Sequence, residues 1–479
     1  MTNILIIDSK SSILYQHYKN TPNIYFLDNS FYSDFERWRK EIDSLLNIQD
    51  YYECFNFKQV YKYIESIIPI WSRWTSSGDR YDNYFHHFMW IVFYLTSYLK
   101  KNNINAVIFP TSAPHHLDTS ILSIACRHNN IPQIFLYIVY SSENNGKYGR
   151  LLPLIVEGNL SDRKALDYKI SNYKNGSDYK NYIKFMNNLN SESSSNIFIL
   201  KDSESLLKSV IDETFYEFKK KLVRLYRPSL KSNNEFKEQS YFIKLNQFFD
   251  QSKALKFYEK NISKNYIRFL DKEANIVIMA HFQPEMTSFP EGGDYHNHLK
   301  IVYFLRSIGF KKPIFYKEHP SSWSYRFKVV GPTKVSISRS ESYYKQLLNL
   351  GCVFLDKSFK LDFSKPKSAF LPITITGSIA IERSISGYYT LFAGHPWWKG
   401  LPGTIYLSDL KSESDLKEIY FNHNQNISSS AMRFFEKLLN EKTIVNYLGY
   451  ATGEKIDDDD IKKTFFQEYD SLISYLTKF

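Results

Sequence analysis

Phe370-Leu371-Pro372-Ile373-Thr374-Ile375 runs into Thr376-Gly377-Ser378 and then into Ile379-Ala380-Ile381-Glu382-Arg383-Ser384-Ile385. An apolar run, a small polar turn and a stretch of helix-like apolar spacing read together as strand, turn and helix of an α/β unit. Gly377 and Ser378 then fall at a helix N-terminus, where backbone N–H groups and the positive end of the helix dipole favour an anion. Upstream, Ile314-Phe315-Tyr316 is a second short apolar run leading into Lys317-Glu318-His319-Pro320. Pro320 forbids a simple helical continuation, which puts the basic side chains of Lys317 and His319 at the strand's carboxyl end. That edge is where open α/β sheets bind ligands. Taken singly, His319-Pro320 is an ordinary loop and Ser378 an ordinary N-cap. As parts of two successive βα units they point to a phosphate site of the nucleotide-sugar kind.

Working outward, Ala274 to Ala280, Ile314 to Tyr316, Val353-Phe354-Leu355 and Phe370 to Ile375 form one α/β series. An earlier series starts at Ile4 to Ile7 and continues through Ala106 to Phe109, a helix over Asp118 to His128, and Ile131 to Leu136. The expected fold class is therefore α/β, with two Rossmann-like domains and a helical insertion. A chain of 479 residues exceeds one ordinary core at roughly 150 residues per domain. The expected boundaries are an N-terminal domain over 1–265, carrying a helical insertion at about 161–264, a nucleotide domain over 266–440, and a C-terminal helical segment over 441–479 that packs back across the domains. Tyr84 to Lys100 reads as an aromatic-rich helix, and Ile461 to Leu476 as a final amphipathic one.

Composition excludes several classes. With 43% hydrophobic residues the chain has ample apolar area to bury, which argues against global disorder. Its longest apolar stretch, Phe88 to Leu99, falls short of the roughly 20 residues a spanning helix needs. The start, Met1 to Asp8, lacks a basic region and a cleavage site and reads as a strand, so the expected location is the cytoplasm. Cys54, Cys126 and Cys352 are scattered without paired spacing, which argues against disulfides or a zinc site. No metal and no resident cofactor is expected. The formal charge of +11 favours acidic ligands or an anionic membrane surface, and leaves open attachment to the inner face of the cytoplasmic membrane. Basic runs such as Lys219-Lys220-Lys221 read as a solvated helix face, and no nucleic-acid recognition module is present.

The series Ala280-His281-Phe282-Gln283-Pro284-Glu285, Gly292-Gly293, Tyr316 to Pro320, Arg339-Ser340, Tyr343-Tyr344, Thr376-Gly377-Ser378 and Glu382 resembles bacterial capsule-polysaccharide glycosyltransferases of the Kdo-transferase-like kind. Their His-Pro and Ser motifs are similar to those of bacterial sialyltransferases. The resemblance covers about Ile276 to Gly403; before that only Pro114-His115-His116-Leu117-Asp118 resembles the family's acceptor-side segment. It implies a GT-B-like enzyme, with two Rossmann-like domains facing a cleft. The implied donor is a CMP-activated ulosonic or nonulosonic acid, transferred to a capsule or lipopolysaccharide glycan or glycolipid. Lys317, His319, Pro320, Thr376, Gly377 and Ser378 would hold the CMP phosphate, and Glu382 would accept from ribose or cytosine. Glu285 occupies the place of the family's nucleophilic acid, which is commonly Asp. Glu291 and Asp294 are rival carboxylates, either of them a base toward an acceptor hydroxyl. His281, Gln283, His115, His116 and Asp118 would line the acceptor side. Trp397 would border the donor, while Trp398 reads as packing. The alternatives left open are a UDP- or GDP-sugar transferase of GT-B type and a non-catalytic capsule-assembly subunit.

Overall fold

The computed structural model describes residues 2–8, 12–27, 81–109, 117–139, 150–157, 163–167, 169, 241–263, 275–282, 291–323, 339–359, 370–421, 425–445 and 459–478. They form two compact α/β units, and the expected α/β fold with two Rossmann-like sheets is what the structure shows.

The first unit carries β1 (Asn3–Ile7), α1 (Ile13–Tyr18), β2 (Ile24–Leu27), α2 (Tyr81–Lys101), β3 (Ile104–Phe109), α3 (Leu117–His128), β4 (Gln133–Val139), β5 (Arg150–Val156) and β6 (Lys164–Ala165). Its strands run parallel in the order β2-β1-β3-β4, and β5 then pairs antiparallel with β4. Ile4, Leu5 and Ile6 are fully buried, as expected of a strand covered on both faces.

The second unit opens with α4 (Tyr241–Lys260) and β7 (Asn275–Met279). It continues through α5 (His298–Ser307), β8 (Ile314–Lys317), α6 (Glu341–Asn349), β9 (Cys352–Phe354), β10 (Phe370–Thr374), α7 (Ile379–Ile385), β11 (Thr390–Phe392), β12 (Thr404–Tyr406) and α8 (Glu413–Phe421). The six strands are all parallel, in the order β12-β11-β10-β7-β8-β9. Counted within the unit this is 6-5-4-1-2-3, the doubly wound order, so the direction of winding reverses between β7 and β10. Every strand delivers its carboxyl end to one edge. Side-chain caps set the helix starts: the Asn297 side chain accepts from Leu299 N ahead of α5, and Ser340 Oγ accepts from Tyr343 N at 3.2 Å ahead of α6. Of the buried residues of α5, His298, Ile301, Val302 and Leu305 recur at helical spacing, with Leu299 beside them.

After α9 (Gln425–Lys442), the chain adds β13 (Ile444–Val445) antiparallel to β5 and ends in α10 (Asp459–Leu476). Phe465, Tyr469, Leu472 and Leu476 of α10 bury against Ile4, Ile6, Leu14 and Ile134. The C-terminal segment thus belongs to the first unit, which takes in Met432–Phe479, while the second unit ends at Ala431.

The expected division at 265 is corrected by α4. That helix was assigned to an insertion on the first domain, yet Ala254, Leu255 and Tyr258 lie in the core of the second unit. The reason is Tyr258, whose ring stacks on Phe354 at 4.6 Å and whose hydroxyl donates to Leu355 O at 2.6 Å. The rest of the expected insertion, apart from a few residues at 163–169 and 261–263, lies outside the described residues, as do the Lys219 run and Cys54. Cys126 and Cys352 are buried free thiols. Among the described residues no helix is long and apolar enough to cross a membrane, and no cluster of His, Cys, Asp or Glu is placed to hold a metal.

Candidate functional site

The winding of the second unit reverses between β7 and β10; at such a switch point open α/β sheets form their ligand crevice, and here the sequence sets polar groups at the carboxyl ends of both strands. His281 follows β7; Thr374 ends β10 and Thr376-Gly377 follow. His281 Nε2 lies 2.9 Å from Thr374 Oγ1 and 3.3 Å from the Thr376 amide, and the Gly377 amide donates to Thr374 Oγ1 at 3.0 Å. The Thr376 amide donates to His281 Nε2, so that nitrogen is an acceptor and the Thr374 hydroxyl donates to it as well. His281 must then be neutral, with its proton on Nδ1. Burial first, then the charges of His319 and Arg339, pushes its pKa down to about 3. Gly377 has no room for a side chain: a Cβ there would sit 2.5 Å from Thr374 Oγ1 and 3.2 Å from His281 Nε2.

Beneath the crevice lies a charged network that carries Glu318, the one residue of the Lys317–Pro320 motif given no role from sequence. Its carboxylate is wholly buried, accepts from Arg339 Nε at 2.7 Å, Tyr344 Oη at 2.8 Å and Tyr316 Oη at 3.1 Å, and receives the His319 amide at 2.9 Å. Its own amide donates to Tyr258 Oη at 3.1 Å. Arg339 stacks over the Tyr343 ring at 4.9 Å and donates through Nη2 to His281 O at 3.1 Å. The His281 amide in turn meets His298 Nε2 at 3.2 Å, while His298 Nδ1 lies 3.3 Å from Arg339 Nη2. A neutral imidazole can accept only one of these two donors. Burial, followed by the Arg339 charge, holds His298 far below the ordinary histidine range and keeps that acceptor available. The phenols are driven the other way, Tyr343 up to about 12, chiefly by burial. Because the partners stand at 258, 281, 298, 318 and 339, no local pattern announces the network. Its sequence signal was the Arg339-Ser340 and Tyr343-Tyr344 pairs, read there only as part of a resemblance.

The remaining expected site residues divide clearly. Lys317 ends β8 and is 9% exposed; His319 stands beside it, Pro320 opening a 3-10 turn, Pro320–Trp323. Burial, then the Lys317 and Arg339 charges, lowers His319 to about 4, so it is a neutral donor rather than a cation at neutral pH. Ser378 does cap α7 in sequence, but its hydroxyl donates to Glu382 Oε1 at 2.9 Å and accepts from none of the helix amides. Glu382 is half-buried, and its carboxyl is raised by burial against that hydrogen bond. The expectation of free amides at this turn holds only in part. Thr376 and Gly377 already donate within the protein, while the Ser378 and Ile379 amides have no acceptor among the described residues.

Of the carboxylates, Glu291 is 1% exposed and its carbonyl takes the His395 amide at 2.7 Å. The Asp294 side chain is 91% exposed, 3.6 Å from Lys300. Asp294 is therefore the solvent-accessible one of the two. Trp398 is core, edge-on to Phe392 at 5.3 Å, and Trp397 is half-buried. Glu285, Gln283, His115 and His116 lie outside the described residues, as does the Asp118 side chain.

No family model and no curated protein matches this chain. Among solved structures it is similar to UDP-N-acetylglucosamine 2-epimerase from Rickettsia bellii, at 13% identity over 92% of this chain and 95% of that one, with a TM-score of 0.22. The UDP-GlcNAc 2-epimerase from Methanocaldococcus jannaschii matches at 14% identity over 91% and 99%, with a TM-score of 0.23. The Neisseria meningitidis UDP-GlcNAc 2-epimerase bound to UDP-GlcNAc matches at 10% identity over 99% and 100%, with a TM-score of 0.17. The fold stands on the strand orders above, independently of these low scores.

Proposed function

We propose that this protein is a glycosyltransferase whose second unit binds a CMP-activated sugar, a 3-deoxy-ulosonic or nonulosonic acid, for transfer to a capsule or lipopolysaccharide glycan. The observation that carries this reading is the convergence of Lys317, His319, His281 and the Thr376–Ser378 turn on the carboxyl edge where the sheet reverses its winding. The donor phosphate would lie among the Lys317 ammonium, the imidazole N–H groups of His319 and His281, and the Ser378 and Ile379 amides. In transfer, the bond between the anomeric carbon and the phosphate oxygen breaks, and the departing nucleoside monophosphate takes the electron pair. These cationic and N–H donors oppose the charge that develops on it. The acceptor hydroxyl forms the new bond and gives its proton to a carboxylate; Glu285, Glu291 and Asp294 are the contenders.

Calorimetric titration with CMP, UDP and GDP tests the nucleotide class. CMP binding is expected, abolished in Gly377→Ala by the clash with Thr374 and His281, and weakened about tenfold in His319→Ala through the loss of one hydrogen bond to a charged group. A response to UDP or GDP alone moves the protein to another transferase class, and no nucleotide binding at all favours an assembly subunit.

A further inference from the structure

Beside the crevice, past the carboxyl ends of β11 and β12, lies a cavity of about 370 Å³ of whose lining the roles above use only Asp294, a contender for the base. Phe304 of α5 forms part of its lining from the core side, Tyr295 and Tyr406 stand on its walls, and Tyr303 is 53% exposed at the mouth. The polar groups gather at the rim: Ser408 Oγ lies 2.9 Å from Tyr295 Oη, and Asp294 faces Lys300. His395 joins this cavity to the crevice. Its amide is tied to Glu291 O, and the preceding Gly394 packs so closely that a Cβ would come within 2.8 Å of Thr376 Cγ2.

Three features choose the ligand chemistry. Aromatic faces from several elements suit a flat apolar surface. A volume near the lower end of the roughly 300–1,000 Å³ range for ligand pockets admits about one ring system. The charged rim is a neutral pair left open to water, with Asp294 and Lys300 side chains 91% and 52% exposed. Reading a nucleobase edge calls for desolvated donors and acceptors, and a carboxylate sugar calls for unbalanced positive charge; this rim supplies neither. A sugar ring, by contrast, stacks its C–H face on a tyrosine and turns its hydroxyls toward partly hydrated polar groups.

We infer that this cavity is a saccharide subsite holding one neutral sugar ring of a glycan, with Tyr406 and Tyr303 as stacking faces and Asp294, Lys300 and Ser408 as hydroxyl partners. The inference rests on the carbohydrate-active reading of the second unit. It adds that the glycan is gripped by the same unit as the nucleotide.

Saturation-transfer NMR on the full chain tests it with methyl glycosides of glucose, galactose, N-acetylglucosamine and N-acetylneuraminic acid as probes, and cytidine as a control. Transfer to ring protons of a neutral glycoside is expected, with affinity about tenfold weaker in Tyr406→Ala and in Tyr303→Ala and unchanged in His319→Ala. Circular dichroism checks folding, and the exposed Tyr303 serves where Tyr406→Ala fails to fold. Transfer to the acidic glycoside alone would make this the place of the donor's own sugar and overturn the glycan assignment. No transfer to any glycoside, transfer indifferent to both tyrosines, or tyrosine-dependent binding of cytidine instead would overturn the subsite. A wild type that binds a neutral glycoside through Tyr303 but no nucleotide would retain the subsite and refute the nucleotide reading alone.

Discussion

Among the described residues each unit buries an arginine–glutamate pair, and the two pairs differ in what their further donors touch. In the first unit Arg150 Nη2 meets Glu468 Oε1 at 3.1 Å, and the guanidinium also donates to Thr443, through Nε to Oγ1 at 2.8 Å and Nη2 to the carbonyl at 3.0 Å. Thr443 and Glu468 both belong to the chain's last segment, so the pair fastens β13 and α10 to β5. In the second unit Arg339 meets Glu318 at 2.7 Å, and its spare donor reaches the His281 carbonyl at the crevice. One pair closes a fold; the other holds up a polar edge. A buried ion pair is weak evidence for stability in itself, because desolvating two charges offsets much of their attraction. Its role is read from the groups it positions.

The largest expected effect separates these roles. Arg339→Met and Arg150→Met each leave a buried carboxylate uncompensated, and each is expected to cost about 3–5 kcal/mol in urea unfolding. The double replacements should then diverge. Arg150→Met with Glu468→Leu removes both charges and is expected to recover most of the loss. Arg339→Met with Glu318→Leu leaves Tyr344, Tyr316 and the His319 amide without the acceptor they share, at about 1–3 kcal/mol for each buried group left unsatisfied. It should recover little stability and lose nucleotide binding as well. Equal recovery in both double variants would erase the contrast.

Acidity should produce the next effect, through two histidines of the second unit. His281 and His319 have folded pKa values of about 3 and about 4, against roughly 6.5 unfolded. As pH falls below about 6.5 the unfolded chain takes up protons that the folded chain refuses, so stability is lost progressively toward pH 4. A bound phosphate dianion beside His319 would raise its pKa, so nucleotide affinity should rise across the upper part of that window while the free protein weakens. Unfolding and calorimetric titration at pH 7.5, 6.5 and 5.5 check both trends. Parallel trends, or a flat affinity, would place the phosphate away from the histidines.

The same contrast governs what could be read from sequence. The buried parallel strands were legible because two covered faces demand continuous apolar runs, as in Ile276-Val277-Ile278. Lys317, His319 and Gly377 were legible as the polar residues that end such runs. Strands of three residues such as β11 and β12 carry too little pattern to register, and with them went the cavity past their ends. Glu318 and Arg339 were passed over as active groups because a charged residue reads as solvated unless its partner is known. That partner lies 21 residues away in sequence and becomes a neighbour only through the fold. The helix Tyr241–Lys260 was assigned to the wrong unit for a related reason, since its polar, aromatic-mixed sequence displays no clear face.

The smallest effect tests whether the first unit's closure is independent of the site. Tyr18 Oη donates to Asp470 Oδ1 at 2.6 Å, joining α1 to the final helix, and its ring lies 5.9 Å from that of Tyr469. Burial, reinforced by that hydrogen bond, raises the Tyr18 phenol far above its ordinary range, so it remains a donor throughout the accessible pH range. Tyr18→Phe keeps the ring packing and deletes only the hydroxyl. Asp470 is at the edge of a part-buried contact where water can replace the lost donor, so the expected cost is about 1 kcal/mol in urea unfolding. Because Arg150 and Glu468 still fasten α10 from its other partners, the helix should stay docked and CMP titration should be unchanged. A change in nucleotide affinity from so remote and conservative a deletion would mean that the terminal helix tunes the crevice, and that the two buried ion pairs belong to one coupled structure rather than two.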